Sequence, residues 1–172
     1  MRGPSPRVVV MGVSGCGKST VGTRLAAQLA VPFLDGDDLH PPTNVAKMAS
    51  GTPLTDEDRE PWLRDVGRAL RDHKATGLVI ACSALRRGYR AAILGQAPET
   101  VFVHLHGEFE VIHARMAARD AHFMPTSLLT TQIESLEPLG EHEPGFTVDI
   151  GASLDAVVGR ILRVLAERDP RG

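Results

Sequence analysis

The chain has 172 residues, a formal net charge of −2, 42% apolar residues and only 4% aromatic ones. This suffices for one domain, residues 1–172, with an aliphatic core of Leu, Val, Ile and Ala, and leaves no global positive field to hold nucleic acid or an anionic membrane. No apolar run approaches the ~18–20 residues of a membrane span, the start MRGPSPR is too short and polar for a secretory signal, and Cys16 and Cys82 alone make no disulfide framework, so the expected compartment is the cytoplasm.

Residues 7–12, RVVVMG, do not alternate and read as a strand buried on both faces. MGVSGCGKST overlaps it and crowds glycines, a lysine and hydroxyls into ten positions. Glycine loses the most backbone freedom on folding, so this stretch must need bare backbone. Gly12-x-x-x-x-Gly17-Lys18-Ser19 is a complete Walker A pattern between a predicted strand and a predicted helix. Backbone from Gly12 through Val13, Ser14, Gly15, Cys16 and Gly17 to Thr20 can wrap a phosphate chain, helped by the positive end of the helix. Lys18 supplies a charge to the β- and γ-phosphates, and the Ser19 hydroxyl can ligate Mg²⁺. A plain glycine-rich turn leaves the ordered Lys-Ser unexplained.

A helix over 18–30 follows from Val21, Leu25, Ala26 and Leu29. The second strand, VPFLDGD, ends in acids. On extended chain Asp35 and Asp37 lie on the same side, where one carboxylate can hold Mg²⁺ through water. The other can orient an acceptor hydroxyl and take its proton. The bland alternative is a polar turn capping the next helix. Residues 36–60 are rich in Pro, Gly, Thr, His and charge, and read as a substrate-binding excursion from the sheet. Thr55 followed by Asp56, Glu57 and Asp58 has the form of a helix start, but Pro61 sits awkwardly, so the helical pattern is taken from 62 to 75. Arg59 is either solvated surface or an anion clamp.

The third strand, GLVIACSA, carries no Asp-x-x-Gly, and no Asn-Lys-x-Asp follows, which opposes a GTPase-type switch. Arg86, Arg87 and Arg90 come next, with Arg86 and Arg90 on one face of a helix over 86–95. One is expected at the ligand and the others on the surface. The fourth strand, VFVHLHG, puts His104 and His106 on one face, where packing is favoured over a metal pair. A helix over 108–119 carries Arg115 and Arg119, either complementing the helix end or acting as lid arginines. Residues 119–128 are the expected lid, with a helix over 126–136. FTVDIG is the fifth strand and 154–167 the last helix. Alternating strands and helices predict an α/β fold: a parallel sheet covered on both faces, with ligands at the carboxyl ends of the strands.

From about Val8 to about Glu167 the sequence resembles the gluconokinase family, small P-loop kinases related to shikimate kinase. The resemblance rests on MGVSGCGKST, FLDGDDLHP, NVAKMASGTPLTDEDREPWL, CSALRRGYR, HLHG, the arginines before HFM, and VDI. The segment RDAHFMP departs from the family pattern, with Ala121 where a glycine is expected. The resemblance implies a five-stranded sheet of order 2-3-1-4-5, a homodimer, and ATP- and Mg²⁺-dependent phosphorylation of D-gluconate at O6. It further implies Asp37 as acceptor-side base, Asp35 near Mg²⁺, Arg115 by the adenine, Arg119 by the phosphates, and the loop from Gly151 to Ser153 touching adenine through its backbone.

Gluconate is a carboxylate followed by a chain of hydroxyls. Lys47, Arg59 and Arg86 can each supply the cation, and His40 and Asp37 can hold hydroxyls; the residues alone do not choose among the three cations. A shikimate kinase is the nearest enzyme rival, opposed by a third strand ending in ACSAL rather than a triple glycine. A nucleoside-monophosphate kinase lacks an aromatic base pocket within 36–60. A non-catalytic nucleotide-binding module is opposed by the paired carboxylates.

Overall fold

The computed structural model describes residues 5–118 and 126–169. Five strands, β1 (Arg7–Met11), β2 (Phe33–Asp35), β3 (Leu78–Ala81), β4 (Val101–His106) and β5 (Gly145–Asp149), form one sheet of order β2-β3-β1-β4-β5. Every pairing is parallel, as the strand–helix alternation predicts.

The central strand explains its own sequence. Val8, Val9, Val10 and Met11 are all fully buried, and alternate residues feed opposite layers because side chains alternate across a sheet. Val8 and Val10 pack with Val21 and Leu25 of helix α1 (Lys18–Leu29) and with Val157 and Ile161 of α7 (Leu154–Arg168). Val9 and Met11 pack with Trp62, Leu63, Val66 and Leu70 of α3 (Asp56–Asp72) and with Ile93 of α4 (Arg87–Gln96). Each fully buried Val or Leu contributes roughly 1.5–3 kcal/mol, so a strand without polar positions is what a sheet covered on both faces requires.

Two elements differ from the sequence expectation. Helix α2 (Pro42–Ala49) lies inside the excursion 36–60, where no helix is predicted; Pro42 occupies its first turn, the position where a missing N–H costs nothing. Helix α3 starts at Asp56 rather than at 62. Thr55 and Asp58 form a reciprocal capping box that starts the helix ahead of Pro61. Pro61 then removes only the bond to the carbonyl of Glu57, an exposed residue. Helices α5 (Phe109–Ala118) and α6 (Thr126–Ser135) flank residues 119–125. Arg119 and most of the expected lid therefore lie outside the described residues.

Among the described residues no helix is long and apolar enough to cross a membrane. Both cysteines are buried and unpaired. Burial raises the Cys16 thiol and pushes that of Cys82 up to about 12, so neither carries appreciable thiolate.

Candidate active site

The loop between β1 and α1 is shaped by three glycines with left-handed φ: Gly12 at 146°, Gly15 at 82° and Gly17 at 95°. At Gly12 sterics add to conformation, because a Cβ there would lie 2.8 Å from Cys16 Sγ and 2.9 Å from the Leu105 carbonyl. Helix α1 begins without a side-chain cap, leaving its first N–H groups available to an anion. The Ser14 N–H already donates to an oxygen, Oε1 of Gln132 on α6, at 2.7 Å. Lys18 Nζ is folded back onto the loop, donating to the Gly12 and Val13 carbonyls at 3.0 and 3.1 Å.

A cleft of about 1250 Å³ opens over this loop at the carboxyl ends of β1, β2 and β3, and joins Lys18 and Ser19 to Asp35, Asp37, His40, Arg59 and Arg86. Asp35 and Asp37 both face it, but not as alternate residues of an extended strand. Asp35 ends β2, and Asp37 sits in a 3-10 turn (Gly36–Leu39) whose Asp37 N–H donates to Asp35 Oδ1 at 3.0 Å. Asp35 thus caps the turn, as the bland reading has it, and still lines the cleft. The turn is forced tight against β3: a Cβ on Gly36 would lie 2.6 Å from the Ala81 carbonyl. Desolvation by the cleft walls, then the Asp35 charge, raises the Asp37 carboxyl above the ordinary carboxylate range. Ser19 and Asp35 both line the cleft and are hard oxygen donors, the chemistry that Mg²⁺ takes when phosphates and water complete its shell.

The opposite wall comes from α2, the 52–55 loop, α3 and α4. His40 stacks on Trp62, ring centroids 4.1 Å apart and planes 17° apart, and Trp62 Nε1 donates to the Gly36 carbonyl at 2.7 Å. Arg59 donates to the Leu54 carbonyl at 2.8 Å, lies 3.8 Å from Asp56, and stands 5.5 Å from the centre of the Tyr89 ring. The Tyr89 hydroxyl in turn donates to Asp56 Oδ1 at 2.6 Å. Arg86 lies at the mouth, just before α4.

Lys47 is not part of this lining: its Nζ is bound to both oxygens of Asp58 at 2.9 and 2.8 Å, and that hydrogen-bonded pair holds the Asp58 carboxyl down to about 2. Arg90 is neither at the ligand nor on the surface. It is fully buried, with Nε 2.8 Å from Glu143 and further donors on the Ala84 and Glu137 carbonyls, and it ties the segment after α6 to the end of β3. His104 is buried, and burial, then the neighbouring His106 and Arg90, lowers it to about 4. The described residues contain no group of three or more His, Cys, Asp or Glu able to hold a metal.

A second cavity of about 340 Å³ lies on the other side of the loop, between Gly15, Gly17, Thr20, Arg115, Ile150 and Ala152. Arg115 donates to the Ile150 carbonyl at 2.7 Å, and Gly151 sits beside the cavity with its N–H on Asp149 Oδ1 at 2.7 Å. Trp62, Tyr89, Asn44 and Gln132 are the structural residues of the site that the sequence does not announce. Only Trp62 and Tyr89, rare aromatics in an aromatic-poor chain, carried a usable signal.

The fold and the cleft define a P-loop kinase, a phosphotransferase with a small-molecule acceptor. The Shikimate kinase family profile matches residues 14–146. The thermoresistant gluconokinase of Escherichia coli is 45% identical over 160 residues, covering 91% of each chain. The gluconokinase of Gluconobacter oxydans is 44% identical over 170 residues, covering 97% of this chain and 96% of its own. A crystal structure of a gluconokinase from Sinorhizobium meliloti superposes with a TM-score of 0.83 at 42% identity, over 96% of this chain and 98% of that one. The chain belongs to the gluconokinase family, within the shikimate kinase-like P-loop kinases.

Proposed function

We propose that this protein transfers the terminal phosphoryl group of ATP to the 6-hydroxyl of D-gluconate, giving 6-phospho-D-gluconate and ADP and passing gluconate into central carbohydrate metabolism. One observation carries the reading: a single cleft joins the phosphate loop to a carboxylate of raised pKa and to a wall bearing arginines.

Each side chain then has a task. The loop N–H groups and Lys18 hold the phosphates, and Lys18 exchanges its two carbonyl partners for phosphate oxygens. Ser19 and Asp35 would hold Mg²⁺, which neutralises charge on the phosphates when bound. Asp37 accepts the proton of the reacting hydroxyl, and its raised pKa suits a base that must also release that proton. Arg115 and the Ile150–Ala152 segment receive the adenine in the smaller cavity, and Arg119 is assigned to the phosphoryl group in transfer.

For the carboxylate, Arg59 is the best-prepared cation, because three neighbours fix its guanidinium before any ligand arrives. Arg86 is left for the mouth, and Lys47 braces α2 against α3. The reading extends to a homodimer in the cytoplasm, which sedimentation velocity and cell fractionation check.

The test is an ADP-release assay across D-gluconate, D-glucose, shikimate and a nucleoside monophosphate. Gluconate alone should support turnover. Glucose shares the primary hydroxyl but lacks the carboxylate, and phosphorylation of glucose as efficient as that of gluconate would overturn the assignment.

A further inference from the structure

Asn44 is 2% exposed and lies on α2, away from the phosphate loop. Its carboxamide nitrogen is 2.9 Å from the Asp58 carbonyl oxygen and 3.2 Å from His40 Nδ1. A carbonyl oxygen can only accept, so the Asn44 atom facing Asp58 must be the NH₂. The same nitrogen faces His40, so Nδ1 must be the acceptor of its second hydrogen. The imidazole proton therefore sits on Nε2. Flipping the amide would set two oxygens against each other, and placing a proton on Nδ1 would set two donors against each other, so the chain Asp58 carbonyl, Asn44 amide, His40 ring has one consistent assignment.

The ring is held as firmly as its proton. It stacks on Trp62, and Trp62 is pinned through its own N–H to the Gly36 carbonyl. Burial, then Arg59, pulls the imidazole towards its neutral form, against the opposing charge of Asp37. Among the described residues the ring has no other hydrogen-bond partner than Asn44, and His40 lines the cleft beside Asp37.

We infer that Asn44 is a positioning residue for hydroxyl recognition, locking His40 as the Nε2–H tautomer so that the cleft presents a fixed neutral donor. A hydroxyl has one proton to give and lone pairs to receive. His40 as donor and Asp37 as acceptor match both needs, and a neutral ring avoids drawing the substrate carboxylate into the place of a hydroxyl. The identity of that hydroxyl as one on the gluconate chain rests on the proposed function; the tautomer does not.

The experiment has two arms. Long-range ¹H–¹⁵N correlation spectra of the wild-type protein, with the His40 resonances identified by their loss in His40→Gln, should show a protonated Nε2 and a bare Nδ1 at neutral pH. Steady-state kinetics of Asn44→Asp, which replaces the donor facing Nδ1 by an acceptor, should show the KM for gluconate raised on the order of tenfold with the KM for ATP unchanged. In the His40→Gln background, where no tautomer exists to be set, Asn44→Asp should add little. A proton on Nδ1 in the wild type overturns the inference even if Asn44→Asp fails to fold, and so does an unchanged gluconate KM in a folded Asn44→Asp protein. If the wild type does not phosphorylate gluconate, the proposed function fails and the spectra still decide the tautomer.

Discussion

The phosphate loop grips with backbone, whereas the wall facing it, from Gly36 to Arg59, works through side chains that are themselves held in place, by other side chains and by backbone carbonyls. In the loop, glycine φ angles and an uncapped helix start set the geometry, and all of it comes from nine consecutive residues, 12–20. In the wall, His40 depends on Trp62 and Asn44, Asn44 on Asp58, and Arg59 on Tyr89 and Asp56. A backbone site tolerates any side chain that leaves its φ and its free N–H groups intact. A side-chain site can be retuned for a new acceptor by changing one supporting contact. The difference suits a kinase family that keeps one phosphate donor and varies its acceptor.

Removing the loop's one charged side chain should have the largest effect. Lys18→Ala should lower kcat by about 10²–10³-fold or more with the thermal midpoint little changed, since among the described residues Lys18 Nζ bonds only to loop carbonyls. Near wild-type turnover in a folded Lys18→Ala protein would remove it from the phosphates.

Asp37→Asn tests the junction between the two regions. It should leave ATP affinity intact and lower kcat by about 10²–10⁴-fold. Because the Asp37 pKa is raised on folding, the folded chain holds this proton to higher pH than the unfolded chain does. Its contribution to stability is therefore full below the ordinary carboxylate pKa and is lost as pH rises through the raised value. At neutral pH the charged Asp37 is a cost, so Asp37→Asn should melt slightly higher than wild type while being far less active. The acid limb of kcat/KM in the wild type should sit above the ordinary carboxylate range for the same reason. A twofold loss of activity, or a limb at the ordinary value, would make Asp37 a strand-end acid only.

Within the wall, Arg59 and Lys47 should separate. Arg59→Ala should raise the gluconate KM roughly tenfold to more than a hundredfold, the worth of a charge-assisted hydrogen bond, leaving the KM for ATP nearly unchanged. Lys47→Ala should lower the thermal midpoint with little change in either KM, since Lys47 is engaged with Asp58. The reverse pattern would return Lys47 to the substrate.

The smallest effects distinguish two glycines within the loop. Gly12→Ala meets both an adverse φ and close contacts with Cys16 and the Leu105 carbonyl, so it should cost more than Gly17→Ala, which has nothing within 4 Å and only the left-handed penalty of roughly 1–2 kcal/mol. Equal melting temperatures for the two variants would show that sterics at Gly12 are relieved by a shift of the loop.

The same contrast explains how much was legible. The five strands, the sheet order and the phosphate loop are local patterns or follow from a family resemblance carried by them. Helix α3 starting at Asp56 was half legible, because Thr55 followed by three acids has the form of a helix start but Pro61 argued against continuity. The roles of Arg90 and Lys47 were not legible. Both depend on partners brought near by the fold, Glu143 for Arg90 and Asp58 for Lys47, and no spacing rule links such pairs. Asp35 and Asp37 were placed at the cleft for the wrong geometric reason, since a 3-10 turn and not strand alternation aims Asp37.

On the proposed reaction the two regions meet at one reacting oxygen, the primary hydroxyl of gluconate. The proton-coupled ³¹P spectrum of the product formed from ATP and D-gluconate tests it most directly. Phosphorylation at O6 places the phosphorus beside a methylene group, and the new resonance should be a triplet from two equivalent couplings. A doublet, from phosphorus on a secondary carbon's oxygen, would rule out transfer to O6, and ADP formed with inorganic phosphate and no new ester would rule out transfer to gluconate altogether.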